Sequence, residues 1–102
     1  MTARAATWPD LGNPDPQWRI LLDLLVHESR ERMVYLSSAC VASGVPFTTA
    51  LRMIKGLVSA GMVERVSDPR EKRCVYLRLA PETRDRLIAH LRAEAERAAA
   101  VR

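Results

Sequence analysis

The chain has 102 residues, room for one domain with a modest core. It carries 16 Lys and Arg against 12 Asp and Glu, a formal charge of +4, and no run of 18 apolar residues, which excludes a transmembrane helix. The opening MTARAATWPDLGNPDP lacks the apolar core of a signal peptide, and Cys40 and Cys74 have no metal-ligand spacing. A cytoplasmic protein without a structural disulfide is expected.

Residues 1–14 are rich in Ala, Pro, Gly and Asn without periodicity and read as a flexible arm. One domain then fills 15–100. Asp15-Pro16 is a helix start, Asp as N-cap and Pro at the first helical position. Trp18, Leu21, Leu22 and Leu25, widened by Leu24, form its apolar stripe, and this first helix spans 15–31. Val34-Tyr35-Leu36 is too short for a strand of its own but can pair as an extra edge. Ser37 caps a short helix, Ser38 to Ala42, with Ala39, Cys40 and Val41 inward. Gly44 turns the chain. A second short-range helix begins at Pro46, where Ala50, Met53, Ile54, Leu57 and Val58 repeat at spacings of three and four, and Gly61 ends it. Two antiparallel strands follow, Met62 to Val66 and Cys74 to Leu79, turned by Asp68-Pro69. A last helix over 81–100 carries Leu87, Ile88 and Leu91. The fold class is mainly α with a small β-hairpin, an α+β arrangement.

The stretch SSACVASGVPFTTALRMIKGLVSAGMV meets the requirements of a helix-turn-helix: a short first helix, a tight glycine turn, and a second helix with one docking face and one polar face. Ala39, Val45, Ala50 and Ile54 can pack the two helices together, leaving Thr48, Thr49, Arg52 and Lys55 outside. The charge agrees. Between Arg52 and Arg78 stand Arg52, Lys55, Arg65, Arg70, Lys72, Arg73 and Arg78 against only Glu64, Asp68 and Glu71. The whole formal excess therefore falls in about a quarter of the chain, which suggests a polyanionic partner. A basic hairpin tip can be an ordinary solvated turn; following a helix-turn-helix, it reads as a surface for phosphates.

Gly44 to Arg65, then Asp68-Pro-Arg-Glu-Lys-Arg73 and Leu79-Ala-Pro-Glu82, resemble the winged helix-turn-helix domain of MarR-type transcriptional regulators over roughly residues 35–87. The resemblance implies a recognition helix from Pro46 to Val58 in a DNA major groove, with Thr48, Thr49 and Arg52 facing bases and phosphates and Lys55 nearer the backbone. It also implies a wing of Arg70, Lys72 and Arg73 in the neighbouring minor groove, oriented by a salt bridge from Asp68. Arginine chemistry suits both places: bidentate bonds to guanine edges and insertion into a narrow, negative groove. Three departures stand out. Phe47 replaces a polar or basic residue, and either packs a thymine methyl or packs the neighbouring helix. Ala80 replaces a capping threonine. A single helix follows the wing where the family carries one more, so the first and last helices are expected to form the homodimer. The resemblance also implies a small-molecule effector, which no residue of this chain supports.

The remaining residues support duller roles. His27 and His90 have no metal partners at ligand spacing, and Cys40 and Cys74 read as small hydrophobes more readily than as redox sensors. No nucleophile–base pair, metal cluster or glycine-rich phosphate loop suggests an enzyme, and no cofactor is implied. The leading reading is a homodimeric, sequence-specific double-stranded DNA-binding regulator. The alternative is a winged-helix protein–protein interaction module without DNA binding, against which the basic helix and wing speak.

Overall fold

The computed structural model describes residues 14–71 and 73–101. Four helices and three strands alternate in the order α1 (Pro14–Ser29), β1 (Val34–Tyr35), α2 (Leu36–Ala42), α3 (Phe47–Ser59), β2 (Val63–Ser67), β3 (Val75–Leu79) and α4 (Pro81–Val101). Asp15 therefore lies inside the first turn of α1 instead of capping it. Of the predicted arm 1–14, residue 14 already belongs to α1; residues 1–13 lie outside the described residues.

In α1 the fully buried residues are Ile20, Leu21 and Leu24. The buried face is thus centred on Ile20, which the predicted stripe omitted, while Trp18, Leu22 and Leu25 are only half-buried at its margins. The helix ends in a Schellman motif: Arg32 N–H bonds the His27 carbonyl at 2.9 Å and Glu31 N–H that of Glu28 at 3.0 Å. Glu31 takes the left-handed conformation this needs, at φ 57°. At the end of α3, Met62 and Gly61 donate to the Leu57 and Val58 carbonyls, both at 3.0 Å, and Gly61 supplies the positive φ of 76° at no steric cost.

The sheet order is β1-β3-β2, both pairs antiparallel, with Val34 opposite Leu77, Tyr35 opposite Tyr76 and Glu64 opposite Arg78. Val34 and Tyr35 do form the expected edge. Because that pairing ends at Tyr35, α2 starts at once at Leu36, and Ser37 is inside its first turn instead of capping it; Tyr35 is the N-cap and gives no side-chain cap bond. Ala39 and Cys40 face inward, but Val41 is 82% exposed, a further 100° round a helix whose two inward positions are already taken.

One core joins all these elements: the α1 face, Ala39 and Cys40 of α2, Ala50, Ile54 and Leu57 of α3, Val34, Val63, Leu77 and Leu79 of the sheet, and Leu87 of α4. Val45 packs at its edge. On α4, Leu87 is buried, Ile88 and Leu91 are half-buried, and His90 joins them at 7% exposure. The His90 ring meets Trp18 of α1 edge-to-face at 5.2 Å, and its Nε2 is 3.0 Å from Glu94 Oε1. Beyond that point, residues 94–101 are exposed throughout. No helix among the described residues is long and apolar enough to cross a membrane.

Candidate nucleic-acid interface

Between α2 and α3 the turn is held by Ser43, which is fully buried. Its hydroxyl donates to the Cys40 carbonyl at 2.6 Å and accepts from Val45 N–H at 3.3 Å. Gly44 follows at φ 76°. Pro46 is the N-cap of α3; with no amide hydrogen to lose and an extended ψ of 150°, it points the chain into the helix. The docking face of α3 is Ala50, Ile54 and Leu57. Thr48, Arg52 and Lys55 follow one another at spacings of four and three on the outward face and are all exposed. Thr49, one step round, is half-buried at the margin of that face. Phe47 is 56% exposed, so much of it stands open to solvent.

The wing is the β2–β3 turn. Asp68 N–H bonds the Cys74 carbonyl at 3.1 Å and Cys74 N–H that of Glu71 at 2.9 Å, closing the loop on itself. The Asp68 carboxylate accepts the Arg70 amide at 2.9 Å through Oδ1, an Asx turn, and the Tyr35 hydroxyl at 3.4 Å through Oδ2. Among the described residues it makes no ion pair with a wing guanidinium; it shapes the backbone that carries Arg70 instead. Tyr35 was missing from the sequence reading, and only its place on the edge strand hinted at it. Its ring also meets that of Tyr76 edge-to-face at 6.1 Å. Desolvation first, and then the negative Asp68 carboxylate, raise the Tyr35 phenol above its ordinary 10.0, so it stays a donor at neutral pH. Arg70 and Arg73 are exposed, and Lys72 lies outside the described residues.

A cleft of about 410 Å³ is lined by Phe47 at the tip of α3, by Tyr35, Leu36 and Ser37 of β1 and α2, and by Arg73, Cys74 and Val75 of the wing and β3. Phe47 and Arg73 are thereby brought to one cleft. Arg65, counted in the charge but not as a site residue, lines a smaller recess of about 110 Å³ with Lys55 and Leu51. Arg78 pairs with Glu64 at 2.8 Å and Arg84 with Glu28 at 2.6 Å. Among the described residues, Arg52, Lys55, Arg70 and Arg73 have no carboxylate within ion-pair distance. Cys40 and Cys74 are free thiols, and burial pushes that of Cys40 up from its ordinary 9.0. No group of three or more His, Cys, Asp and Glu among the described residues could hold a metal ion.

A helix-turn-helix followed by a two-stranded wing and flanked by helices on both sides is the winged helix-turn-helix fold of MarR-type regulators, and this chain has it. The solved structures it resembles make the comparison specific. The Staphylococcus aureus MepR–DNA complex aligns with a TM-score of 0.75 at 14% identity over 89% of this chain and 72% of its own. RV1404 from Mycobacterium tuberculosis aligns at 0.72 and 25% identity over 98% of this chain and 67% of its own. MarR itself aligns at 0.66 and 22% identity over 91% and 65%. The chain spans about half the length of the heme sensor PefR, 49%. No protein-family model and no curated protein sequence matches it.

Proposed function

We propose that the protein is a sequence-specific double-stranded DNA-binding transcriptional regulator that acts as a homodimer. The observation that carries this reading is where the helix-turn-helix and wing set their cations: Arg52 and Lys55 exposed on the outward face of α3 and Arg70 and Arg73 exposed on the wing, with no carboxylate partner among the described residues. Cations held on a rigid helix and a hydrogen-bonded hairpin suit phosphate neutralisation, with α3 in a major groove and the wing in the adjacent minor groove. Thr48, Thr49 and Arg52 would read base edges, and Lys55, Arg70, Lys72 and Arg73 would hold the backbone and minor groove. Asp68 would fix the wing through the Arg70 amide. The DNA-bound state of MepR supports transferring this role.

The dimer would form through α1 and α4. In support, the last turns of α4, residues 94–101, find no cover among the described residues. Two-fold symmetry would present two α3 helices about 34 Å apart to a palindromic operator. The test is selection from a randomised duplex pool across a salt series, followed by sequencing. Enrichment of a palindrome with a steep salt dependence is the expected result. Failure to bind even at about 50 mM salt, where phosphate contacts are strong, would refute the reading and leave the protein-interaction module.

A further inference from the structure

The cleft between the tip of α3 and the wing is lined mainly by apolar side chains, Phe47, Tyr35, Leu36 and Val75, with Arg73 supplying its cation and Ser37 a hydroxyl. Apolar walls beside a guanidinium that has no carboxylate partner among the described residues set this surface apart from the polar outward face of α3. Phe47 in particular stands open to solvent at 56%, where nothing of the fold requires it. On the major-and-minor-groove reading above, α3 and the wing enter neighbouring grooves, and the ridge between those grooves is one sugar–phosphate strand. That strand must cross the space between the two elements, which is this cleft.

We infer that the cleft seats one deoxyribose–phosphate unit of the bound duplex, the sugar against Phe47, Leu36 and Val75 and the phosphate on Arg73. Its volume of about 410 Å³ is suited to a unit of that size, toward the lower end of roughly 300–1,000 Å³ for clefts that hold small organic molecules. An apolar wall against C2′ also selects the sugar: a ribose would press its 2′-hydroxyl onto carbon with no partner. Phe47 is then a specificity residue for DNA over RNA, not a reader of base sequence. This rests on the proposed DNA-binding function and adds the position and chemistry of one contact.

The experiment uses duplexes retained in the pool selection, with single substitutions introduced along each strand. A methylphosphonate at the seated position should lower the salt slope by about 0.9 per half-site, and Arg73→Ala protein should not respond to it. A ribonucleotide at that position should weaken wild-type binding about fivefold to tenfold beyond its effect on Phe47→Ala protein, the cycle cancelling any change in the duplex itself. Phe47→Ala removes an exposed ring, so its melting transition should match wild type. If duplexes bind but no position shows these couplings, the seat is wrong while the DNA reading stands. If Phe47→Ala instead abolishes a difference between thymine and deoxyuridine, Phe47 reads a base methyl and the seat is also wrong. If no duplex binds, the functional reading itself fails.

Discussion

Glu28 at the end of α1 ties that helix to β3 and α4, at positions 51 and 56 residues further along the chain. Its Oε2 accepts the Leu79 amide of β3 at 2.7 Å, and its Oε1 accepts Arg84 of α4 at 2.6 Å from Nη2 and 3.2 Å from Nε. Leu79 is fully buried, so replacing Glu28 with Ala leaves its amide unpaired, a loss of about 1–3 kcal/mol. The guanidinium fork adds less, about 0.5–1 kcal/mol, because the Arg84 side chain is 38% exposed and water screens it. Glu28→Ala should therefore cost about 2–4 kcal/mol, or roughly 8–20 °C of melting temperature for a domain of this size. Arg84→Ala should cost only the fork, and Glu28→Gln, which still offers Leu79 an acceptor, should fall between. Urea unfolding followed by circular dichroism at one fixed protomer concentration measures all three. The reasoning is refuted if Glu28→Ala is no more destabilising than Arg84→Ala, since the buried amide would then not depend on the carboxylate.

Other outcomes follow from the same geometry. Gly44 and Gly61 both lie at φ 76°, so alanine at either should lower stability by about 1–2 kcal/mol in the same urea assay; at 44 its Cβ would also come within 2.7 Å of Arg19 Nη1. Because burial raises the Cys40 thiol, the unfolded chain loses that proton first. The stability this thiol contributes is thus complete below its ordinary 9.0 and is lost as pH rises above it, which melting of Cys40→Ala against wild type between pH 8 and 10.5 will test. Half-buried Cys74 should be alkylated before Cys40, and bound duplex should slow it, as mass spectrometry of iodoacetamide-treated protein will show. In DNA binding, Arg52→Ala should relax sequence preference by about 1–3 kcal/mol at one base pair, whereas Arg70→Ala and Arg73→Ala should each reduce the salt slope by about 1 while leaving preference intact.

Those features that a short stretch of chain determines were legible in the sequence. Gly44 and Gly61 announced two helix ends because only glycine adopts a positive φ without strain. Asp68-Pro69 announced the wing turn because the aspartate bonds an amide two residues on, as it does at Arg70. The helix end at Glu31 could not be read this way, because a glutamate there carries no turn signal and is held in place by what surrounds it. Ser37 was misplaced as a cap because the start of α2 is set by the pairing of Tyr35 with Tyr76, a contact across 41 positions of chain. The same limit hid the support of the candidate site. Tyr35 reaches Asp68 over 33 positions, and Glu28 reaches Leu79 and Arg84 over 51 and 56. Periodicity reports which face of an element is apolar, not which distant polar atom will meet it.

The charge count of the Arg52–Arg78 window illustrates what the folded arrangement adds. Seven cations against Glu64, Asp68 and Glu71 suggest partial neutralisation everywhere. The fold distributes it unevenly. The β2–β3 register sets Glu64 directly opposite Arg78, so that carboxylate is committed to the sheet, away from the wing tip. Asp68 is held by an amide and a phenol, so it shapes the wing without drawing a described guanidinium back onto it. Arg70 and Arg73 keep their reach for that reason, as Arg52 and Lys55 do on a helix face that carries no acid. An acid that holds the loop in form without pairing with Arg70 or Arg73 among the described residues is what the proposed phosphate-binding role would require. It leaves positive charge on α3 and on the wing, the two surfaces proposed to meet a duplex.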